Sequence, residues 1–398
     1  MTSENICRSD AIPSAEKSTH ARSSDALPGR LWSLDVFRGV TIGGMILVNN
    51  PGTPYAIYWP IEHKEWNGWT PADQVFPFFL FIVGVSMVFS NAVRRRRGQS
   101  NHELFHHALI RGLIIVGLGL FLNLLGADGS NVPVFHFATW RYPGVLQRIG
   151  ICYLFAMIVF LCTGFRGRIG AVVGLLVVYW ALLEFVPVPG FHAGDLSPSG
   201  NLTMFIDRAL MRHHMWERDA EGILSTLPAI ATTLLGVLGG DWLQAHSRPE
   251  RKAVGLAIAG MVGIMLGLAL HPFFPMNKHL WTSTYVVFTG GFAALLLGVF
   301  CWLIDLKGWR AWSHPFVILG TNALAVYIPS ELLLKLSEAH SIHLSDGRTL
   351  SWRTYAFEKL HLVFASPWNA SLMFAVSYLV LCTLAMWALY RRRIFIKI

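Results

Sequence analysis

The sequence is poor in charge. Only 14% of its 398 residues are Asp, Glu, Lys or Arg, while 54% are hydrophobic; soluble domains carry roughly 25% charged residues. A soluble fold cannot hide that much apolar surface, so a bilayer is the expected solvent. Cysteine is scarce as well. Of Cys7, Cys152, Cys162, Cys301 and Cys382, four lie in or at the ends of apolar runs and none forms a Cys-x-x-Cys pair. That argues against a disulfide framework and against a cysteine-built zinc site. Residues 1–30 lack the apolar core of a signal peptide and read as a disordered cytoplasmic tail, ahead of a single transmembrane domain over residues 31–398. There is no Walker loop and no internal repeat of the kind that marks inverted-repeat transporters. The glycines between Gly112 and Gly119 fall in an apolar run, so they are no dinucleotide fingerprint. His102, His106, His107 and the pair His213-His214 come without a carboxylate or third ligand, and no metal is expected. The net charge of +9 does not point to nucleic acid, because the basic residues sit in short clusters between apolar runs.

What is abundant is long apolar segments. A bilayer needs roughly 20 apolar residues per helix. Such runs fall near 34–50, 74–93, 104–125, 145–163, 168–186, 223–243, 253–271, 284–304, 314–334 and 370–390. They do not alternate apolar and polar, as barrel strands do. The fold class is therefore all-α, a polytopic membrane bundle of about ten helices. With both ends in the cytoplasm, the short inner segments hold 15 basic residues, including Arg94 to Arg97, against 10 in the much longer outer loops. The positive-inside rule favours that orientation, and a bacterial inner membrane is the expected location. The outer loops near 51–73, 126–144, 187–222 and 335–369 are rich in Trp, His, Pro and Asn. Two readings stand for them: a polar substrate is met on that face, or they are connectors with interfacial aromatic belts.

The densest chemistry lies between the first two runs, in Asn49-Asn50-Pro51-Gly52 and Ile61 to Asp73. His63 can act as base, nucleophile or acyl carrier near neutral pH. Thr70-Pro71 reads as an N-cap with proline at the first helical position, and Asp73 suits a helix N-terminus. A catalytic role for Asp73 stands beside that structural one. Charges inside spans are costly and usually functional. Asp35 and Arg38 can pair on one helix face or bind a donor. Arg111 lies within the third run. Gln147 and Arg148 can hold a carboxylate or a sugar hydroxyl. Ser225 and Thr226 precede Pro228 and serve either helix packing or a ligand. Asn277, Lys278 and Trp281 form a short outer segment able to line a sugar site. Asn322 sits mid-run and needs a partner.

Taken together, Ser33-Leu34-Asp35-Val36-Phe37-Arg38-Gly39, His63 to Asp73, Val75 to Gly84, Gly144 to Gly150, Gly222 to Gly236, Asn277 to Gly291 and Leu319 to Tyr327 resemble the heparan-alpha-glucosaminide N-acetyltransferase family and its bacterial relatives. The resemblance covers nearly the whole chain after the tail. It implies a transmembrane acyltransferase, with acetyl-CoA supplied on the cytoplasmic side and the acetyl group delivered to an amino sugar or glycan on the other. The family's active-site histidine lies in a motif that His63-Lys64-Glu65-Trp66-Asn67-Gly68 matches. The family's functional asparagine corresponds to Asn49, or failing that Asn50. The implied site is then His63, Asn49, Asn50 and Asp73 for catalysis. Trp66, Asn67, Gln147, Arg148, Asn277, Lys278 and Trp281 would meet the acceptor; Asp35, Arg38, Ser225, Thr226 and Asn322 would meet the donor. A homodimer is compatible with the resemblance. No large luminal domain precedes the first run, as it does in the lysosomal enzyme, so the natural acceptor does not follow. The alternative is an amino-sugar transporter, in which the same residues bind without reacting.

Overall fold

The computed structural model describes residues 31–127 and 133–394; the N-terminal segment expected to be a tail lies outside them. Thirteen helices follow in order: α1 (Trp32–Asn49), α2 (Val75–Arg96), α3 (Asn101–Leu124), α4 (Val145–Cys162), α5 (Phe165–Phe185), α6 (Leu202–Met211), α7 (Thr226–Ala245), α8 (Pro249–Leu270), α9 (Ser283–Phe300), α10 (His314–Thr321), α11 (Ala323–Ala339), α12 (Trp352–Val363) and α13 (Pro367–Arg391). Two small antiparallel hairpins pair β1 (Leu125–Ala127) with β2 (Pro133–Phe135), and β3 (Ser341–His343) with β4 (Thr349–Ser351). The fold is the expected all-α membrane bundle. Among the described residues eight helices are long and apolar enough to cross a membrane, or up to nine if one bent pair counts as a single span. A helix stands at each of the ten expected places. α1 is not among the eight, because Asp35, Arg38 and Asn49 dilute its apolar content. It does not need a lipid-facing surface, since Val36, Phe37 and Ile42 are fully buried.

Local chemistry sets the helix ends. After α2, Gly98 takes a left-handed φ of 81°, and Ser100 then caps α3 by accepting from Glu103 N at 3.3 Å while Glu103 Oε2 accepts from Ser100 N at 2.6 Å. Proline stands in the first turn of α8 and of α13.

Burial sorts the helices into an inner and an outer set. In α2 and α7, 67% and 61% of the spanning window is buried; in α5, α8 and α13 the shares are 22%, 22% and 17%. On α8, Ile258, Met261, Val262 and Met265 all point outward. An apolar surface of that kind is what lipid covers.

The inner pair α2 and α7 cross closely through glycine. A Cβ on Gly84 would lie 2.0 Å from the Thr233 carbonyl oxygen, and one on Gly236 would lie 1.9 Å from the Phe81 carbonyl oxygen. Gly236→Ala gains up to about 1 kcal/mol of helix propensity. Contact with a backbone oxygen cannot be relieved by a rotamer change, and overpacking costs about 1–3 kcal/mol or more. The expected outcome is a lower midpoint of thermal unfolding in detergent, and an unchanged midpoint would mean that the two helices can part without cost.

The span expected near 314–334 is broken. The helical segments Ala311–Thr321 and Ala323–Ala339 meet at 72°, with Asn322 at the corner. Non-helical backbone at membrane depth is tolerated where it lines a cavity, and Gly320, Thr321, Ala323 and Leu324 line one.

Candidate active site

Asp73 is the hub of the site ahead of α2. Its Oδ2 accepts from Lys64 N at 3.1 Å, Thr70 N at 3.0 Å and Thr70 Oγ1 at 3.1 Å. Its Oδ1 meets His63 Nδ1 at 3.0 Å and Lys278 Nζ at 3.3 Å. The Tyr285 hydroxyl donates to its carbonyl at 2.5 Å. The capping and histidine-holding readings of Asp73 therefore coexist: one oxygen closes the turn ahead of α2 and the other faces His63. Lys278 Nζ also lies 3.0 Å from His63 Nδ1. With Nδ1 turned to Asp73 and Lys278, Nε2 is the ring nitrogen left for a reactant. The His63 side chain keeps 38% of its surface open, against 13% for Lys278 and none for Asp73. Burial of the ring and the Lys278 ammonium together hold the His63 pKa below its usual 6.5, against the opposing pull of Asp73 and of Glu221.

Asn277 and Trp281 support this triad from beneath. Both are fully buried. Asn277 Nδ2 donates to Asn67 Oδ1 at 3.1 Å, and Asn277 Oδ1 accepts from Leu280 N at 2.9 Å. Trp281 takes a left-handed φ of 53°, and its Nε1 donates to Thr232 Oγ1 at 3.1 Å. Both residues, expected to meet the acceptor, are thus enclosed and hydrogen-bonded within the protein. Trp66 stacks on His279 at 5.3 Å and donates to the Leu196 carbonyl. Arg148, fully buried, donates from Nη2 to the Gly222 carbonyl at 2.9 Å and to Ser225 Oγ at 2.5 Å, and lies over the Trp281 ring. Thr226 Oγ1 donates to the Gly222 carbonyl. Gln147 is buried nearby with Nε2 lacking a partner. Of the two asparagines, Asn50 spends Nδ2 on the Ile46 carbonyl at 2.7 Å, whereas Asn49 lies within hydrogen-bonding reach of the Glu331 carboxylate.

A second cluster flanks the site. Arg141 Nε and Nη2 donate to the two Asp219 oxygens at 2.8 and 2.7 Å, and Nη2 also reaches Glu221 Oε2 at 2.8 Å. Trp216 covers the guanidinium at 3.6 Å. Burial raises the Asp219 pKa, and the hydrogen bonds and charge of Arg141 more than reverse it, leaving it below the usual carboxylate range. No motif announced Arg141, from the loop ahead of α4, or Asp219 and Glu221, from the loop ahead of α7. Glu331 did carry a signal, being an acid inside a span.

At the opposite end of α2 lies a cavity of about 920 Å³. Its lining follows α2 from Arg94 through Ser90, Ser86 and Val83 to Phe79, a rise of about 22 Å at 1.5 Å per residue. Phe79 is about 9 Å along the helix from Asp73. Arg38, Arg94, Arg111, His102, His106 and His107 give the cavity its basic lining. Arg38 pairs with Asp35 at 3.0 Å and donates to Ser86 Oγ at 2.6 Å. Arg94 meets His107 at 2.6 Å. Arg111 Nε is buried without a hydrogen-bond partner. Of the residues expected to meet the donor, Arg38 lines this cavity and Asn322 sits at the corner beside it; Ser225 and Thr226 instead belong to the Arg148 turn. Among the described residues no group of three His, Cys, Asp or Glu is set to hold a metal ion.

Comparison with known proteins adds the following. The family model described as heparan-alpha-glucosaminide N-acetyltransferase, catalytic, matches residues 30–271. The heparan-alpha-glucosaminide N-acetyltransferase of Mus musculus is 30% identical over 384 residues, covering 82% of this chain and 56% of the relative. That of Homo sapiens is 29% identical over 401 residues, covering 83% and 59%. The chain thus spans less than two thirds of the length of these relatives.

Proposed function

The chain belongs to the heparan-alpha-glucosaminide N-acetyltransferase family, and from that premise we propose that it transfers an acetyl group from acetyl-CoA, received in the basic cavity, to a primary amine of a glucosamine-type sugar at His63. The observation that carries this reading is the depth of the cavity. It enters among arginines at one end of α2 and stops at Phe79, short of Asp73 at the other end. Its residues suit the donor. Arg38, Arg94 and Arg111 offer charge-assisted hydrogen bonds to phosphates, and the unpartnered Arg111 Nε is a donor still to be satisfied. Phe79, Ile115 and Ile149 line an apolar stretch that suits a narrow chain. The positive-inside rule puts the Arg94 end in the cytoplasm and His63 on the outer face.

Bound there, the donor would supply a thioester: the amine nitrogen forms a bond to the acetyl carbon, the carbon–sulfur bond breaks, and the thiol leaves. This chain's part is to move the amine's proton and to hold the reactants. Asp73 fixes the His63 ring by Nδ1, so Nε2 takes the proton as general base. An acetyl-carrying histidine would use the same nitrogen. The resemblance assigns the donor to the developing oxyanion to Asn49, whose amide also meets the Glu331 carboxylate, with Asn50 as the second candidate.

The test is a sided assay in oriented proteoliposomes. Acetyl-CoA added on the Arg94 side is expected to acetylate glucosamine held on the His63 side. Accumulation of unmodified amino sugar without any donor would instead establish a transporter. In the same system Arg111→Gln is expected to weaken donor binding about tenfold, the loss of one charge-assisted hydrogen bond, measured as the Kd for CoA. An unchanged Kd would remove Arg111 from the donor site.

A further inference from the structure

Asp73, His63 and Lys278 form a triangle with edges of 3.0, 3.0 and 3.3 Å. A neutral imidazole can fill it in two ways. With the proton on Nδ1, the ring donates to Asp73 and presents a lone pair at Nε2. With the proton on Nε2, Nδ1 accepts from the Lys278 ammonium. A third state, the imidazolium, is what a buried carboxylate beside a histidine ordinarily favours, and an imidazolium has no lone pair to accept a proton. We propose that Lys278 is a positioning residue that, through its ion pair with Asp73 Oδ1, offsets the carboxylate charge beside His63, so that the ring stays neutral with its proton on Nδ1 and Nε2 stays available to the amine.

Three observations carry this. First, Asp73 Oδ2 is already taken by the Lys64 and Thr70 backbone N–H groups, so the side of the carboxylate left for charge balance is Oδ1, where both His63 and Lys278 sit. Second, the Lys278 backbone is held on both sides. Gly68 N donates to the Met276 carbonyl at 2.8 Å, Asn277 is tied to Asn67 and Leu280, and the Lys278 carbonyl accepts from the N–H of Trp281, a buried residue in left-handed backbone. A strained, buried clamp persists where the surrounding structure over-determines it. Third, the charges around the ring are now identified. Asp73 faces it from the turn ahead of α2, Lys278 from the loop ahead of α9, and Glu221 from the loop ahead of α7. Lys278 is the one cation among these three, set against two carboxylates. The lowered pKa of His63 agrees with this arrangement.

Use of the neutral ring for transfer rests on the acetyltransferase reading, whereas the charge balance does not. The experiment therefore has two readouts. In the full-length protein with ¹⁵N-labelled histidine, the His63 resonance, assigned by its loss in His63→Gln, is expected to titrate below pH 6.5 and to report a neutral ring at pH 7. In Lys278→Met it is expected to titrate about 1–3 pH units higher, the usual effect of losing a nearby like charge, while Lys278→Arg keeps the wild-type titration. The acid limb of the transfer rate should move with it in Lys278→Met, so that transfer lost near neutral pH returns at alkaline pH. A wild-type His63 that titrates above pH 7 overturns the proposal, and that measurement needs no folded variant. So does a Lys278→Met protein with an unmoved limb and a rate lowered equally at every pH, which is what loss of a structural or acceptor contact alone would give. A His63 that titrates as stated in a protein that acetylates no amine leaves the charge balance standing and removes the acetyltransferase reading.

Discussion

Transfer by His63→Ala is expected to fall about 10²–10⁴-fold, the range that a positioned general base supplies, with the Kd for CoA unchanged. The structure separates the two quantities. His63 reaches Asp73 and Lys278 at the start of α2, and it does not line the basic cavity, whose deepest α2 residue is Phe79. Folding should survive the change, because Lys278 still meets Asp73 Oδ1 and the Asp73 cap on Thr70 does not involve the imidazole. Asp73→Asn gives a different pattern. It keeps the size of the side chain but removes the carboxylate that orients Nδ1, and it leaves the Lys278 ammonium beside an imidazole with no anion to offset it. Its acid limb should move further down in pH, since a nearby cation disfavours the imidazolium, while the rate at the plateau falls. Single-turnover transfer and equilibrium CoA binding check both variants. A His63→Ala protein with full activity would take His63 out of the chemistry.

Arg141→Ala is expected to cost about 3–5 kcal/mol of stability, the usual penalty for breaking a buried ion pair from one side. Asp219 is fully buried and Glu221 nearly so, with side-chain exposures of 0% and 10%. Removing the guanidinium strands both carboxylates and uncovers the face of Trp216. Lysine cannot replace it, because a single ammonium cannot reproduce the fork that binds both Asp219 oxygens. The variant in which Arg141, Asp219 and Glu221 are all made neutral should be more stable than Arg141→Ala alone, since no uncompensated charge is then left buried. Thermal unfolding in detergent, followed by size-exclusion chromatography, reads both. If the triple variant melts as low as the single one, the loss lies in packing rather than in stranded charge. Because Glu221 also acts on His63, transfer by folded Arg141→Ala is expected to show a shifted pH profile too.

Much of the site around His63 was legible where its parts are close in sequence. His63, Thr70 and Asp73 lie within ten residues, and one turn of 3₁₀ helix over Pro71–Gln74 brings them together. Lys278 was visible as a polar residue in an outer loop, but its partner is 215 residues away, and no spacing rule links the two. The same holds for Arg141 with Asp219. The basic cavity was half legible. Arg38 and Arg111 stood out as charges inside apolar runs, but Arg94 read as a topology signal and His107 as one of three histidines without a metal set, until α2 and α3 set the two side by side. The long loops also hide structure that short patterns do not reveal: α6, α12 and two hairpins with strands of three residues each.

By itself the sequence determined that this is an all-helical membrane bundle and where each long apolar helix falls. That information is local. Lipid offers no hydrogen bonds, so each apolar run of sufficient length must satisfy its own backbone as a helix, whatever its neighbours do. Only the tertiary structure decided that the loop ahead of α9 delivers Lys278 to His63, that the last expected run but one bends at Asn322, and that the arginines at one end of α2 open into a cavity reaching toward Asp73 at the other. Those facts depend on which helices touch and how closely. That is set by side chains far apart in the chain, such as Gly84 and Gly236, whose missing Cβ atoms let α2 and α7 meet backbone to backbone.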